Sequence, residues 1–220
     1  MQNATKGRPR GFDEDQVIEA AMRLFWQKSF EGTTMTDLTN ATGLSRSSIR
    51  AAFGSKDGLF LKAVERYKSR QMGYIPKALA EPTFPRAIEA LLRGMVNYLS
   101  IPGNPKGCLS IHGALANGTD GELVTQVMAK WHKSGENGIK ERIQQAQREG
   151  ELSRDVNAAD YARYIVTIMI GTAMRAVDGA GKAELTRTID MALQFLSRSS
   201  FDPAASRDNS GEGNVPRGGS

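Results

Sequence analysis

The run of residues 43–60, GLSRSSIRAAFGSKDGLF, holds the densest set of side chains suited to chemistry in this sequence. A serine nucleophile needs a general base within hydrogen-bonding reach, and the two histidines, His112 and His132, lie far along the chain. The run has no Gly-x-Ser-x-Gly elbow, and its Gly-Ser-Lys lacks the spacing of a phosphate-binding loop. We therefore predict a protein that is not an enzyme and that carries no cofactor and no metal.

Positive charge is the second feature of this run. The whole chain has a formal net charge of +5. Its cations gather at the start of the chain and in the run itself: Lys6, Arg8, Arg10, Arg46, Arg50 and Lys56. A basic arm followed by a basic cluster favours a polyanionic partner. The alternative interpretation is an ordinary set of solvated surface charges.

Composition places the chain among globular proteins, with 40% hydrophobic and 24% charged residues. A single cysteine excludes an internal disulfide and fits a reducing compartment. No apolar run approaches the roughly 20 residues that cross a bilayer. We therefore predict a cytoplasmic protein without a membrane segment.

Apolar residues recur at helical spacing along nearly the whole chain, and no period of two persists. Good N-cap residues precede four predicted helices in the first third of the chain: Asp13, Thr34, Ser45 and Ser55. Only Gly43 and Leu44 separate the end of the second helix from the cap of the third, which predicts a helix-turn-helix.

Longer amphipathic helices follow a junction that is marked by Pro76, Pro82 and Pro85. The predicted bounds of these helices are 84–100, 107–117, 120–148, 156–178 and 182–198. We predict an all-α fold in four parts: a basic flexible arm at 1–10, a helix-turn-helix domain at 11–71, a larger helical domain at 72–198 and a disordered tail at 199–220.

The third predicted helix has two chemically different sides. Ile49 and Phe53 lie four residues apart and face inward with Leu44, at 100° per residue. The opposite side is small, polar and cationic and consists of Ser47, Ser48, Arg50 and Ala51, with Arg46 on its flank. Such a face can enter a major groove and present donors to bases and phosphates. The alternative is a solvated face on an ordinary helical hairpin.

Lys56 stands in the first turn of the fourth predicted helix, where a cation opposes the helix dipole. The position makes sense where a phosphate binds, because free N–H groups at a helix start already favour anions. Asp57 would soften the cost of the cation in the unbound protein.

The segments VIEAAMRLFWQKSFE and GTTMTDLTNATGLSRSSIRAAFGSKDGLF closely resemble the DNA-binding domain of the TetR/AcrR family of bacterial transcriptional regulators. The resemblance covers about residues 11–70. It implies a three-helix helix-turn-helix DNA-binding domain, and a homodimer that reads a palindromic operator in double-stranded DNA. It further implies a larger C-terminal helical ligand-binding and dimerisation domain, whose small-molecule effector releases the DNA. The expected protein is a nucleoid-associated repressor.

The resemblance also assigns DNA contacts. Thr34 and Thr36 lie where the family contacts phosphate or base, and Lys56 takes the position of its phosphate-binding lysine. The start of the recognition helix is formed by Ser45, Arg46, Ser47 and Ser48. Arg50 departs from the pattern, because the family usually has an aromatic residue there, most often tyrosine. We predict that Arg50 contacts phosphate or guanine; the alternative is that it relaxes sequence reading.

The C-terminal half offers two further patterns with two interpretations each. One is a stripe that, together with the stretch LTRTIDMALQFL at 185–196, either pairs with a second copy in a four-helix interface, as the resemblance implies, or forms the core of the domain: Tyr161, Tyr164, Ile165, Ile168, Met169 and Thr172. The other is a set of adaptable side chains that suit an apolar ligand: Met95, Tyr98, Trp131 and Met169. Core packing is the commoner use of such residues, so the ligand-binding residues stay unknown.

Cys108 follows Lys106 and Gly107 near a predicted helix start. Helix N-termini and nearby cations raise thiol reactivity, so a sensor of oxidants or electrophiles is one hypothesis and a buried structural cysteine the other. Cys108 and His112 also lie four residues apart, but further metal ligands are missing nearby. For the chain as a whole, the alternative to a regulator is a helical dimeric interaction module with a degenerate DNA-binding head.

Overall fold

The computed structural model describes residues 11–114 and 122–201. Over these residues it contains ten α-helices and no strand, which confirms the predicted all-α class. Their bounds are α1 Glu14–Lys28, α2 Met35–Thr42, α3 Arg46–Phe53, α4 Lys56–Gln71, α5 Tyr74–Leu79, α6 Phe84–Leu99, α7 Leu109–Ala114, α8 Glu122–Glu149, α9 Ala158–Val177 and α10 Lys182–Phe201. The predicted arm at 1–10 and residues 202–220 of the predicted tail lie outside the described residues, while residues 199–201 of that tail belong to α10, which continues past the predicted end at 198.

Local sequence explains where the first four helices begin. The predicted caps Asp13, Thr34, Ser45 and Ser55 all accept hydrogen bonds from first-turn N–H groups. Gly43 ends α2 in the left-handed region at φ 71°, a conformation that costs glycine little. Only Gly43 and Leu44 separate the end of α2 from Ser45, the N-cap of α3, as the helix-turn-helix pattern predicts.

The first hydrophobic cluster joins these four helices. Fully buried aromatic side chains form its centre: Phe25, Trp26, Phe30, Phe60 and Tyr67. Leu38 and Ile49 attach α2 and α3 to it from the side. The same cluster continues into the C-terminal half through Tyr98, Leu109, Val124 and Met128. The helix-turn-helix is therefore packed directly on the larger helical part.

The second hydrophobic cluster holds α6, α8, α9 and α10 together. Leu91 and Leu92 of α6 are completely buried in it, and so are Ile143 and Ile165. Burial of one such side chain contributes roughly 1.5–3 kcal/mol to stability. The predicted bounds of α6, α8, α9 and α10 agree with the structure to within three residues.

Helix α5 lies in the segment where Pro76, Pro82 and Pro85 predict a junction, and it is not among the predicted helices. Pro76 is the third residue of α5, where a missing N–H costs nothing since first-turn N–H groups have no partner within the helix. Tertiary packing stabilises this short helix, as Ala78 is buried and the Tyr74 ring packs against Gly94 of α6.

Within the part of the chain that the structure describes, none of the helices combines the length and apolar character that a membrane span requires. The same ranges hold no group of three or more His, Cys, Asp or Glu side chains placed to bind a metal ion.

Candidate nucleic-acid interface

Helix α3 presents the two-sided pattern that its sequence predicts. Ile49 is fully buried, and Leu44 and Phe53 pack against the first cluster. On the other side Arg46, Ser47, Arg50 and Ala51 are exposed, while Ser48 is half-buried. The side chain of Arg50 has no hydrogen bond or ion pair to any residue that the structure describes. The exposed side of α3 is thus small, polar and positively charged.

Arg46 connects the two helices of the motif. Its Nη2 atom donates a hydrogen bond of 2.9 Å to the hydroxyl of Thr36 in α2. Both residues are exposed, so the pair lies on the surface between α2 and α3. The contact keeps the guanidinium beside the exposed side of α3 without neutralising its charge.

Thr34 closes the start of α2 through a complete capping box with Asp37. Lys28 adds an ion pair of 2.7 Å to the same carboxylate. The hydrogen bond from Lys28 and those from Thr34 hold the pKa of Asp37 well below its usual range. The Thr34 hydroxyl itself is exposed at the same helix start.

The serines of α3 form a small hydroxyl cluster. Ser45 Oγ lies 2.8 Å from Ser47 Oγ and 2.9 Å from Ser48 Oγ, and it also accepts from the Ser48 N–H. Ser45 therefore has a structural role as N-cap in addition to any contact with DNA. Ser47 is the most freely presented of the three, because Ser48 is half-buried.

Lys56 is half-buried at the start of α4, and its ammonium lies 4.2 Å from the ring centroid of Phe30. This cation–π contact gives the lysine a favourable position in the unbound protein and offsets its unfavourable place in the helix dipole. The N–H groups of Lys56 and Asp57 have no acceptor among residues 11–114 and 122–201. The start of α4 can therefore donate to an anion.

An apolar cavity of about 120 Å³ lies in the larger helical part, among helices α5, α6, α7, α8 and α9. Met72, which follows α4, and Cys108, which precedes α7, complete its wall. The four adaptable side chains noted in the sequence all line it: Met95, Tyr98, Trp131 and Met169. Sequence reasoning missed two of its polar members, Tyr74 and His132. Tyr74 belongs to the helix that the proline pattern concealed, and a lone histidine gives no signal of a cavity.

Cys108 also lines this cavity, in the residue before α7, and is partly exposed. The Tyr67 hydroxyl donates to its Sγ at 3.2 Å, and Ser110 Oγ lies 2.9 Å away. Tyr67 belongs to α4, so the thiol contacts the helix that begins at Lys56. The side chain of His112 lies outside the described residues.

The stripe predicted on α9 divides between two roles. Ile165 and Thr172 are buried, and Tyr161 is half-buried with its hydroxyl bonded to the Leu196 carbonyl, so these three belong to the core. Ile168 and Met169 also pack against the second cluster. Only Tyr164 of the stripe is exposed, and its ring lies 5.9 Å from that of Phe195.

An exposed apolar surface therefore lies on α9 and α10, with Tyr164 at 42%, Phe195 at 59% and Met191 at 72% exposure. We call these three residues the α9–α10 face. Met191 and Phe195 belong to the stretch LTRTIDMALQFL that the sequence offers for pairing with a second copy, but the spacing of apolar residues in α10 does not show which of them face the core. Three large exposed hydrophobic side chains on adjacent helices are typical of a protein–protein contact.

A helix-turn-helix with a cationic outer helix, mounted on a helical part with an apolar cavity, defines a class of protein: the DNA-binding transcriptional regulators. Residues 17–63 match the family described as bacterial regulatory proteins, tetR family, and residues 85–192 match the tetracyclin repressor-like C-terminal domain. The chain belongs to the TetR family. Membership brings a dimeric assembly and a C-terminal ligand-binding domain, as the resemblance in the sequence implies.

Similar proteins span nearly the whole chain. The HTH-type transcriptional repressor ComR of Escherichia coli strain K12 is 27% identical over 87% of this chain and 92% of its own length. The repressor AcnR of Corynebacterium efficiens is 28% identical over 90% of this chain and 99% of its own length. A cysteine mutant of the regulator CifR, solved with a 26-bp operator DNA, has a TM-score of 0.81 and 29% identity, over 86% of this chain and 98% of that chain.

Proposed function

We propose that this protein is a homodimeric repressor that binds a palindromic operator through α3 and is released by a small molecule bound in the helical domain. The exposed cationic side of α3 is the observation that carries the proposal. Similarity to CifR, solved on operator DNA, supports operator binding, and similarity to the repressors ComR and AcnR supports repression over activation. The location that follows is the cytoplasm of a bacterial cell, at the nucleoid.

The proposed contacts to DNA come from three helix starts and one helix face. They are made by Thr34, Thr36, Ser45, Arg46, Ser47, Ser48, Arg50 and Lys56. Arg50 and Ser47 stand nearest the bases on the exposed side of α3, and Lys56 reaches a phosphate by leaving the Phe30 ring. The free N–H groups at the start of α4 would bind the same phosphate.

The proposed division of the chain follows the predicted parts, with DNA binding at 11–71 and ligand binding and dimerisation at 72–198. The basic arm at 1–10 would add phosphate contacts. Gly11 and Phe12 support this role, because they line a shallow groove with Ser48 and Ala51 of α3. Gly11 and Phe12, which follow the arm in sequence, thus lie beside the helix that is proposed to enter the major groove.

Release requires that the cavity and the DNA-binding surface share a movable element, and α4 is that element. Lys56 is the first residue of α4, and Tyr67 lies eleven residues later, about 16 Å along the helix. Tyr67 bonds to Tyr98 and Cys108 in the wall of the cavity. A ligand that binds one position of α4 more tightly than another would change the separation of the two recognition helices.

Binding of the protein to the DNA upstream of its own gene is the first predicted result. A gel-shift titration should show a discrete complex that weakens steeply as salt rises, because phosphate contacts release counterions. Selection from a random DNA pool should return a palindrome. A salt-insensitive or sequence-independent interaction would contradict the proposal and favour the interaction module with a degenerate head.

A second candidate function is a thiol-based sensor of oxidants or electrophiles. The observation that favours it is the position of the Cys108 Sγ in the wall of the cavity, within hydrogen-bonding distance of the Tyr67 hydroxyl. A group attached to this sulfur would displace Tyr67, and α4 with it. The sensor and the reversible regulator therefore share one route to the DNA-binding surface.

Reaction with N-ethylmaleimide tests the sensor. We expect one adduct per chain by mass spectrometry, since the chain has one cysteine, and loss of the gel shift in proportion to the adduct. The variant Cys108→Ser should stay unmodified and keep its gel shift in the presence of the reagent. A Cys108 that stays unmodified in the folded protein, yet reacts after denaturation, ends the sensor hypothesis.

A further inference from the structure

We propose that the effector of this regulator is an uncharged, single-ring organic molecule with one hydrogen-bonding group, which binds in the cavity against the Tyr74 hydroxyl. This ligand is the effector of the release mechanism proposed above. Its binding to the cavity can be measured in the absence of DNA.

The size of the cavity limits the ligand to one ring. Its volume is about 120 Å³. An engineered apolar cavity of about 150 Å³ holds a benzene molecule, so this cavity has room for one substituted ring and little more. Side chains of Met72, Met95 and Met169 in the wall can shift to accommodate a substituent. A molecule with two fused or linked rings would exceed the space.

The wall of the cavity disfavours charge on the ligand. It consists mainly of aromatic and aliphatic side chains, and burial lowers the pKa of His132 and raises the pKa of Tyr74 and of Tyr98. These groups are therefore neutral near pH 7. The carboxylate of Glu136 is the acidic member of the lining, and Lys133 pairs with it at 3.1 Å. An ion in the cavity would lose its hydration without gaining a free counter-charge.

The polar side chains of the lining divide into those with a hydrogen-bond partner in the protein and those without one. The hydroxyls of Tyr67 and Tyr98 bond to each other, and Tyr67 and Ser110 both contact the Cys108 thiol. The side chains of Tyr74 and His132, in contrast, have no hydrogen-bond partner among the residues that the structure describes. A ligand with one polar group can supply that partner and gain a hydrogen bond without displacing a protein contact.

Tyr74 is held in place for this role by its neighbours. Its ring is stacked on Tyr98 with centroids 6.2 Å apart. On the other side it packs so closely on α6 that a Cβ at Gly94 would lie 2.6 Å from Tyr74 Cδ2. The Tyr74 ring can occupy this position only because Gly94 has no side chain. A fixed ring loses little entropy when a ligand binds, so Tyr74 is suited to orient one.

The test compares two probes of equal ring size, p-cresol and toluene, by calorimetric titration of the full chain. In the wild-type protein both should bind, with p-cresol tighter. Tyr74→Phe should weaken p-cresol about three- to tenfold, the range for loss of one neutral hydrogen bond, and leave toluene unchanged. Tyr164→Phe, which removes a hydroxyl outside the cavity, should change neither affinity.

Charge and volume provide two further measurements. Benzoate and benzyltrimethylammonium should bind at least about tenfold more weakly than p-cresol, because the cavity offers no compensation for their desolvation. Ala173→Leu adds a side chain to the buried wall and should abolish binding of both neutral probes while the protein still unfolds cooperatively. Tighter binding of either ion, or equal losses of p-cresol and toluene in Tyr74→Phe, would overturn the proposal.

The experiments distinguish a wrong ligand proposal from a wrong proposal for the regulatory function. If p-cresol binds as described but leaves the operator complex intact, the cavity assignment stands and the release mechanism is wrong. If neither neutral probe binds to a protein that shifts operator DNA normally, the ligand proposal is wrong and the DNA-binding function stands.

Discussion

Arg50→Ala is expected to weaken operator binding by roughly 30-fold to 10⁴-fold. One arginine contact to a base or phosphate is worth about 1–3 kcal/mol, and a dimer on a palindrome makes the contact twice. The fold should not change, because Arg50 is exposed and alanine favours the helix. Titration of labelled operator by fluorescence anisotropy measures the loss. Arg154→Ala is the matched control, since it removes the same charge from an exposed site between α8 and α9.

The salt dependence of Arg50→Ala separates the two contacts predicted for this residue. Loss of a phosphate contact in each subunit should lower the slope of log affinity against log salt by about two, with equal effects on all DNA sequences. Loss of a guanine contact should instead relax the preference at one base pair of each half-site. Arg50→Tyr introduces the residue that the family usually has there. Unchanged affinity and salt slope in that variant would show that Arg50 contacts neither.

Met191→Glu is expected to convert the dimer to monomers and to weaken operator binding by about 10²–10⁴-fold. The side chain is 72% exposed in the single chain, next to Phe195 on the α9–α10 face. If this face is buried between two copies, the substitution places two carboxylates in an apolar contact at a cost of several kcal/mol. Monomers then bind the two half-sites separately and lose the gain from linkage.

Sedimentation measures the oligomeric state of the variant, and operator titration of the same samples measures its affinity for DNA. Ile101→Glu is the control, because it replaces another exposed aliphatic residue, at 46% exposure, outside α9 and α10. A Met191→Glu protein that sediments as a dimer would place the dimer contact elsewhere. A monomer that binds the operator as tightly as the wild type would contradict the proposed use of two half-sites.

The packing of the helix-turn-helix on the larger part explains how a small cavity could control a surface so distant in sequence. Trp26 of α1 donates its indole N–H to the Gly107 carbonyl at 3.3 Å, and Leu109 donates its N–H to the Tyr67 hydroxyl at 3.2 Å. Residues 107–109 thus contact both α1 and α4 beside the cavity. A ligand can use these contacts only to the extent that it binds the two arrangements with different affinity.

The sequence alone predicted the features that depend on local interactions. The caps at Asp13, Thr34, Ser45 and Ser55 specify helix starts, because a side chain satisfies N–H groups two or three residues away. The inward side of α3 followed from helical spacing, because apolar residues four apart must share a face. The family was evident from the same short-range pattern, since its motifs are compact.

Tertiary structure decided what depends on contacts between distant segments. Helix α5 exists because Tyr74 and Ala78 pack on α6, which no local rule for Pro76 contains. The α9–α10 face and the buried side of α9 are both apolar in sequence, and only the packing of α6 and α8 shows which is covered. The cavity with Tyr74, Cys108 and His132 exists because five helical segments fail to fill a common space, a property of their arrangement and of no single helix.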